Sequence, residues 1–340
     1  MIKKKLKIVK GKLSKILYVF FIKIASKNPF ASSLYYLFIS KEFYNEHYVM
    51  INGIRKNLMH KNNIGNFRRN IHRLEKGLIT KPPKPVFAQD YIINTVEVLH
   101  DLYNSDIDKN TINWAIGTLT EYFNIAPFTE INLKAKKIFQ SFSIKERQNM
   151  PKTFHVNNRI NSQVTYTDFL ALNKQRRSIR YFENISVPRE LIEKAVVAAL
   201  EAPSACNRQP FTFRVVDDPI MLSKVLQLPL GAKTFSNHIK MMVFVVGDQS
   251  NYFSERDKHL IYIDSSLVTM NFILALETLK LSSCIINWAD IQESNSRLKE
   301  ILALEDWEQC VLSIAVGYAA LDCGIASSIK KNAQTIIKYN

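Results

Sequence analysis

Arg176-Arg177-Ser178-Ile179-Arg180-Tyr181-Phe182 and, one helix further on, Ala202-Pro203-Ser204-Ala205-Cys206-Asn207-Arg208-Gln209-Pro210 are the stretches around which the sequence is organised. Between Arg176 and Arg180 the first sets three guanidiniums and a hydroxyl, enough donors to hold a doubly charged phosphate and one further polar group. Only Glu183 lies close by in sequence to neutralise them, which points to an anionic ligand rather than a salt-bridged turn. The second stretch crowds short polar side chains between two prolines, so the Ser204 hydroxyl and the Asn207 and Gln209 amides stand on a stiffened loop able to read the edge of a heterocycle. Between the two, Pro188 suits a first helical turn, and Leu191, Ile192, Ala195 and Ala199 form an apolar helical face.

RRSIRYF followed by APSACNRQP resembles the paired motif of the FMN-dependent nitroreductase family, and the resemblance runs from Tyr166 to Lys331. It implies an α+β fold, a nitroreductase-like sheet sandwiched by helices. It also implies an FMN cofactor, NAD(P)H as electron donor, and a homodimer whose two sites are each built from both chains. On this resemblance Arg176, Arg177 and Ser178 contact the FMN phosphate and ribityl chain, and Arg180 approaches the pyrimidine side of the ring. A fixed cation there suits a cofactor that gains negative charge on two-electron reduction, so Arg180 is expected as an electrostatic stabiliser and no side chain as a dedicated acid or base. Pro203, Ser204, Ala205, Asn207 and Gln209 are implied to reach the flavin across the subunit interface, and Asn287-Trp288 to present backbone N–H to flavin N5 and O4. Gly231-Ala232 falls where another ring contact is expected, and Lys330, with Lys331, where the family closes the phosphate site. At Lys280 the sequence departs from the glycine common in the family, so the helix exit there is expected to differ. Cys206 lies within the second motif, but no histidine neighbours it in sequence to activate a thiolate, and a small bystander is the expected role. The implied chemistry is ping-pong: a nicotinamide reduces the flavin and leaves, and a small-molecule acceptor takes its place. That acceptor is a nitro compound, a quinone or a glycan- or envelope-related precursor. The alternatives are a non-catalytic flavin-binding scaffold and a membrane- or nucleic-acid-associated protein that works through its basic N-terminal quarter.

Composition sets the frame for this domain. With 340 residues and 47% hydrophobic content the chain is long enough for about two domains and a sizeable core. The four cysteines form no C-x-x-C pair and the seven histidines are scattered, so no metal site is expected and a reducing, cytoplasmic setting fits. Gly317 and Gly324 are the closest pair of glycines, which excludes both the dinucleotide fingerprint G-x-G-x-x-G and the phosphate loop. Inside the matching region Thr167–Gln175 reads as a short helix, Phe211–Val216, His238–Val246 with its apolar run from Met241, Ser283–Trp288 and Cys310–Val316 as strands, and Ser294–Leu302 as a helix. Tyr262–Leu279 reads as a long apolar helix whose N-cap is expected near Asp264-Ser265-Ser266.

The net charge of +16 is concentrated at one end: residues 1–80 hold 17 Lys and Arg against Glu42, Glu46 and Glu75, a net of +14. Such a bias favours association with anionic surfaces. Ile2, Leu6, Val9, Leu13, Ile16, Leu17, Phe20 and Ile24 recur at helical spacing among lysines, so residues 1–27 read as a basic amphipathic helix. It either lies on an anionic membrane, at the inner face, or packs on the protein's own body. Residues 28–150 read as a mostly α-helical N-terminal region and 151–340 as the FMN-binding domain. Phe30, Tyr35, Tyr36, Phe38, Phe43, Tyr44 and Tyr48 are expected in a helical core; stacking on nucleic acid is the alternative, and no nucleic-acid module accompanies them. Arg68, Arg69, His72, Arg73 and Lys76 crowd one short helix ending near Gly77, either as a solvated face over buried Ile71, Leu74 and Leu78 or as an anion site. Past a Pro-rich connector, Tyr91–Leu102, Thr111–Tyr122 and Leu133–Gln148 carry helical periodicity.

Overall fold

The computed structural model describes residues 17–40, 42–82, 84, 86–141 and 150–340. The polar half of the expected amphipathic helix, residues 1–16, and the end of the helix expected to reach Gln148 lie outside them.

Four strands, β1 (Phe211–Val216), β2 (Met241–Asp248), β3 (Ser282–Asn287) and β4 (Glu308–Gly317), pair in the order β1-β2-β4-β3. All three pairings are antiparallel, with Phe211 opposite Gly247, Met241 opposite Val316, and Ser282 opposite Gly317. The unbroken apolar run of β2 is explained by burial on both faces. Met242, Phe244 and Val246 enter one core with Leu222, Trp288 and Leu298, while Met241, Val243 and Val245 enter another with Ile192, Ala195, Phe272 and Leu276. Helices α10 (Pro219–Val225) and α12 (Gln292–Leu302) cover the first face, α9 (Arg189–Ala199) and α11 (Leu260–Thr278) the second, so the sheet is sandwiched by helices as expected.

Helix α11 begins before the expected cap. Asp264 and Ser265 sit inside it, 2% and 0% exposed, because the chain turns helical at Leu260 and uses the Asp264 carboxylate for a tertiary contact instead. Before the sheet, α8 (Tyr166–Gln175) opens on a capping box between Thr165 and Asp168 and ends at Arg176, which delivers the first motif.

The N-terminal region is helical: α1 (described over 17–25), α2 (Pro29–Phe38), α3 (Tyr44–Met59), α4 (Ile64–Leu78), α5 (Ile92–Tyr103), α6 (Lys109–Ile125) and α7 (Glu130–Gln140). Helices α4 to α7 share a separate core of Phe67, Ile71, Leu74, Leu99, Leu119 and Phe139. The aromatics before it do not belong to a core. Helix α2 buries none of its residues, and Phe30 and Phe38 are 73% and 77% exposed. Helix α3 instead buries Val49, Met50 and Ile54 together with Asn52, Gly53 and Asn57, and packs against the turn at Gln249–Asn251. A Cβ on Gly53 would come within 2.8 Å of the Gln249 backbone, and one on Gly65 within 2.7 Å of Asn251 Cα, so only glycine allows both helices this close. Asn57 and Asn63 side chains donate to the Ser250 carbonyl at 2.7 and 3.0 Å, satisfying it in a buried contact.

Candidate functional site

The first motif adds a short strand-like segment to the edge of the sheet. Ser178 bridges Ser283 of β3 in parallel, Ile179 N–H donates to the Ser283 carbonyl at 3.1 Å, and Phe182 bridges Ala319 just past β4. Ile179 and Phe182 are thereby buried, which leaves Ser178 and Arg180 exposed and Arg176 and Arg177 half-buried. Among the described residues none of the three arginines reaches a carboxylate within ion-pair distance. The Glu277 carboxyl lies within the field of Arg176, but burial raises its pKa, Gln175 donates to it at 3.4 Å, and its Oε1 has no partner. The Cys284 thiol, pushed up by burial, lies within the field of Arg180 and Arg176. The site therefore offers concentrated guanidinium charge on a fixed backbone with a hydroxyl beside it, which is the chemistry a phosphate requires.

The second motif is a loop in an unfavourable conformation. Cys206, Asn207 and Gln209 have φ of 55°, 51° and 53°, the left-handed region that L side chains other than Asn enter at a cost. Four contacts hold it. Asp264 accepts the Ala205 N–H at 3.0 Å, Ser204 Oγ accepts the Gln209 N–H at 3.1 Å, and Arg68 of α4 donates to the Asn207 carbonyl at 2.7 Å and to Gln209 Oε1 at 3.2 Å. Arg68 also reaches Thr111 of α6 and stacks 5.0 Å from the Trp114 ring. Asp264 is itself donated to by the buried Tyr252 hydroxyl at 3.2 Å; burial raises both pKa values, and the Ala205 N–H and nearby Arg208 counter the rise at Asp264. Ser204 and Gln209, expected to read a ligand, thus spend part of their hydrogen-bonding capacity on the loop itself, while Pro203 is exposed and Ala205 and Asn207 are half-buried.

Helix α11 touches both motif regions. Its residue Asp264 holds Ala205 and its residue Glu277 holds Gln175, next to Arg176. Thirteen helical steps at 1.5 Å each separate them by roughly 20 Å. At the end of β3, Asn287 is exposed and the Trp288 ring is buried against Phe244, its Nε1 donating to Asn295 Oδ1 at 2.7 Å, so only the backbone of Trp288 remains to be offered. Gly231 lies against β3, where a Cβ would meet Ile286 at 3.1 Å. Lys330 is on an exposed irregular tail. Lys280 exits α11 at φ 60°, the conformation a glycine would take without strain. Among the described residues no group of three His, Cys, Asp or Glu is placed to hold a metal ion.

Sequence reading did not connect Arg68 or Asp264 with the second motif, and gave Arg208 within it no role. Arg68 lies 139 positions from Asn207, and only its place in an unusually basic helix marked it out. A cleft of about 510 Å³ between α3 and α12, lined by Tyr48, Lys299 and Asp306, is away from both motifs.

Residues 174–318 match the family model described as Nitroreductase family. A Methanothermobacter thermautotrophicus protein provisionally named NADH dehydrogenase/NAD(P)H nitroreductase is 31% identical over 169 residues, 48% of this chain and 84% of that protein. An iodotyrosine deiodinase of Haliscomenobacter hydrossis is 46% identical over 52 residues, 15% of this chain and 23% of that protein. Among solved structures, a nitroreductase family protein from Streptococcus pneumoniae aligns with a TM-score of 0.44 at 26% identity, covering 51% of this chain and 100% of that one. An oxidoreductase is the activity these relatives support. This chain belongs to the nitroreductase family, and the helices that precede residue 150 are an addition to the family unit.

Proposed function

We propose that the protein is an FMN-dependent oxidoreductase that takes two electrons from NAD(P)H and passes them by ping-pong to a small-molecule acceptor. The observation that carries this reading is the unneutralised set of Arg176, Arg177, Ser178 and Arg180 on the sheet edge. Those residues would hold the phosphate and ribityl groups, and Arg180 would set a positive charge beside the ring. When bound, the flavin supplies reversible two-electron transfer. The loop from Pro203 to Gln209 positions and covers the ring with backbone amides, and the Asn287-Trp288 backbone offers a further N–H.

The separation along α11 supports a homodimer with shared sites, because the α11 residues that touch the two motifs, Asp264 and Glu277, lie roughly 20 Å apart along the helix. Ile263, Leu267 and Met270 form an exposed apolar stripe on α11, and Ile325, Ile329 and Ile336 stand exposed on the tail, as expected of surfaces that a second copy covers.

The purified protein should be yellow and release FMN on heating. Arg176→Ala with Ser178→Ala removes charge-assisted bonds of about 1.5–3 kcal/mol each, so FMN affinity should fall at least tenfold. Unchanged retention of FMN in that double variant would overturn the assignment of the seat.

We also propose that the first quarter attaches the enzyme to an anionic membrane surface from the cytoplasmic side. Helices α1 and α2 form a hairpin, closed by the Ser32 hydroxyl donating to the Ala25 carbonyl at 2.7 Å. Its large apolar residues face outward: Tyr18, Phe20, Leu37 and Phe38 are 59%, 55%, 59% and 77% exposed. Helix α2 has ten residues, far short of the ~20 that span a bilayer, so the hairpin suits insertion into one leaflet. Residues 1–27 hold nine lysines and no acid, the complement of anionic headgroups.

A further inference from the structure

Where α4 meets the second motif, four arginines share one neighbourhood. Arg69 and Arg256 lie 5.1 and 5.6 Å from the Phe253 ring, Arg73 lies 3.8 Å from Tyr91, and Arg208 lies 4.8 Å from Tyr252. The acids that face them are already engaged. Asp90 meets Arg73 at 3.3 Å, Asp257 meets Arg256 at 3.6 Å, and Asp264, opposite Arg208, accepts from Ala205 and Tyr252. Arg69 reaches no carboxylate among the described residues. Arg208 is only 5% exposed, and its Nε has no hydrogen-bond partner.

A structural hub of arginines brings carboxylates with it, since a buried guanidinium without acceptors is costly. Here burial, together with the charges of Arg73 and Arg208, holds the Arg69 pKa below its ordinary value; Cys206 opposes the shift and Arg256 adds to it. The arrangement is electrically incomplete at a position beside the Cys206–Asn207 turn. Aromatic rings on two sides give it apolar walls, and Arg69, half-buried, retains access to solvent.

We propose that Arg69 and Arg208, flanked by Arg73 and Arg256, form a seat for an anionic group carried by the enzyme's substrate. The proposal rests on the flavin reading above, because the loop expected to cover the ring is the one that carries Arg208. It names the substrate class: a molecule whose reacting part lies over the ring and whose phosphate, sulfonate or carboxylate is held by these guanidiniums. It also gives α4, and with it the added N-terminal helices, a part in specificity. The anion belongs either to the electron acceptor or to the nicotinamide donor, and the two are separable.

The test uses the full-length protein and its Arg69→Met variant, which keeps an apolar stem while removing the charge; Arg208 is left intact because it is buried. Binding is measured by calorimetry at low salt with two pairs of probes. Anthraquinone sulfonate and neutral menadione report on the acceptor side, and NADP+ and NAD+, which differ by one phosphate, on the donor side. Arg69→Met should weaken either anthraquinone sulfonate or NADP+ at least tenfold while leaving the less charged twin within twofold, and Arg69→Lys should restore most of the loss. Loss confined to the sulfonate assigns the anion to the acceptor; loss confined to NADP+ assigns it to the donor. If a folded variant with an unchanged melting temperature binds both anionic probes like the wild type, or if the wild type discriminates within neither pair, the seat does not exist. Flavin absorbance of the same samples reports separately on the cofactor: a colourless protein would overturn the flavin reading and with it the substrate assignment, whereas a yellow protein that fails the probe test would overturn the anion seat alone.

Discussion

Arg68→Met tests whether the added helices hold the site loop in place. The substitution keeps a flexible stem that can still pack near Trp114, so it chiefly removes hydrogen bonds. Two of these go to the loop, at 2.7 Å to the Asn207 carbonyl and 3.2 Å to Gln209 Oε1, and a third goes to Thr111. A hydrogen bond to a charged group contributes about 1.5–3 kcal/mol, so the two loop contacts alone are worth about 3 kcal/mol at the low end. The opposing strain is of similar size, because non-glycine residues in the left-handed region cost roughly 1–2 kcal/mol each and the loop has three, one of them the tolerant Asn207. With Asp264 and Ser204 left to hold it, the loop should relax rather than persist. The expected outcome is a loss of about 3 kcal/mol in urea unfolding followed by circular dichroism, with new proteolytic cleavage between Ser204 and Gln209 under native conditions. A loss below about 1 kcal/mol with an unchanged cleavage pattern would refute the bracing role.

Asp264→Asn should show a signed pH dependence. Burial raises the Asp264 pKa, so its contribution is fully present below the unfolded carboxylate value of about 3.9 and is lost as pH rises through the folded value. Urea midpoints should therefore move in favour of the variant, relative to wild type, between pH 4 and 8, and a difference that is flat or of opposite slope would contradict this. Gly53→Ala gains about 1 kcal/mol of helix propensity but drives its Cβ to 2.8 Å from the Gln249 backbone, itself fixed by the Gln249 N–H donating to the Trp307 carbonyl at 2.9 Å. Overpacking of about 1–3 kcal/mol should prevail, giving a lower melting temperature; a higher one would mean that α3 does not dock there. Deleting residues 1–27 should abolish binding to anionic vesicles while leaving flavin content and NADH oxidation intact. A truncated protein that aggregates or loses flavin would instead make that segment part of the folded body.

The sheet was legible because its signals are local. The apolar run Met241–Val246 has no polar face to mistake for a helix, and the observed β1 bounds, Phe211–Val216, coincide with the expected ones. The arginine motif was equally plain, since its donors are consecutive and its alternation of buried Ile179 with exposed Ser178 and Arg180 follows the strand period. Asp264-Ser265-Ser266 imitated a helix cap because the residue types that cap helices also make tertiary hydrogen bonds, and only the fold decides which. The aromatics from Phe30 to Phe38 looked like core because composition does not show which helix faces remain uncovered. Arg68 is the clearest case of what stayed hidden: its function is defined by a loop distant in sequence, and nothing in the basic run distinguishes it from Arg69 or Arg73.

Helix α11 sets an angle as well as a length. In an ideal helix each residue turns by about 100°, so the thirteen steps from Asp264 to Glu277 leave those side chains roughly 140° apart around the axis as well as at opposite ends. The two anchor side chains thus leave one rigid rod in different directions. Substitutions on the exposed side of that rod leave this geometry unchanged, but inserting or deleting a single residue between the two anchors would rotate one anchor against the other by about 100°. The number of residues in this segment is thus under a constraint that their identities are not, and length variation among active relatives should be absorbed before Leu260 or after Thr278 rather than between Asp264 and Glu277.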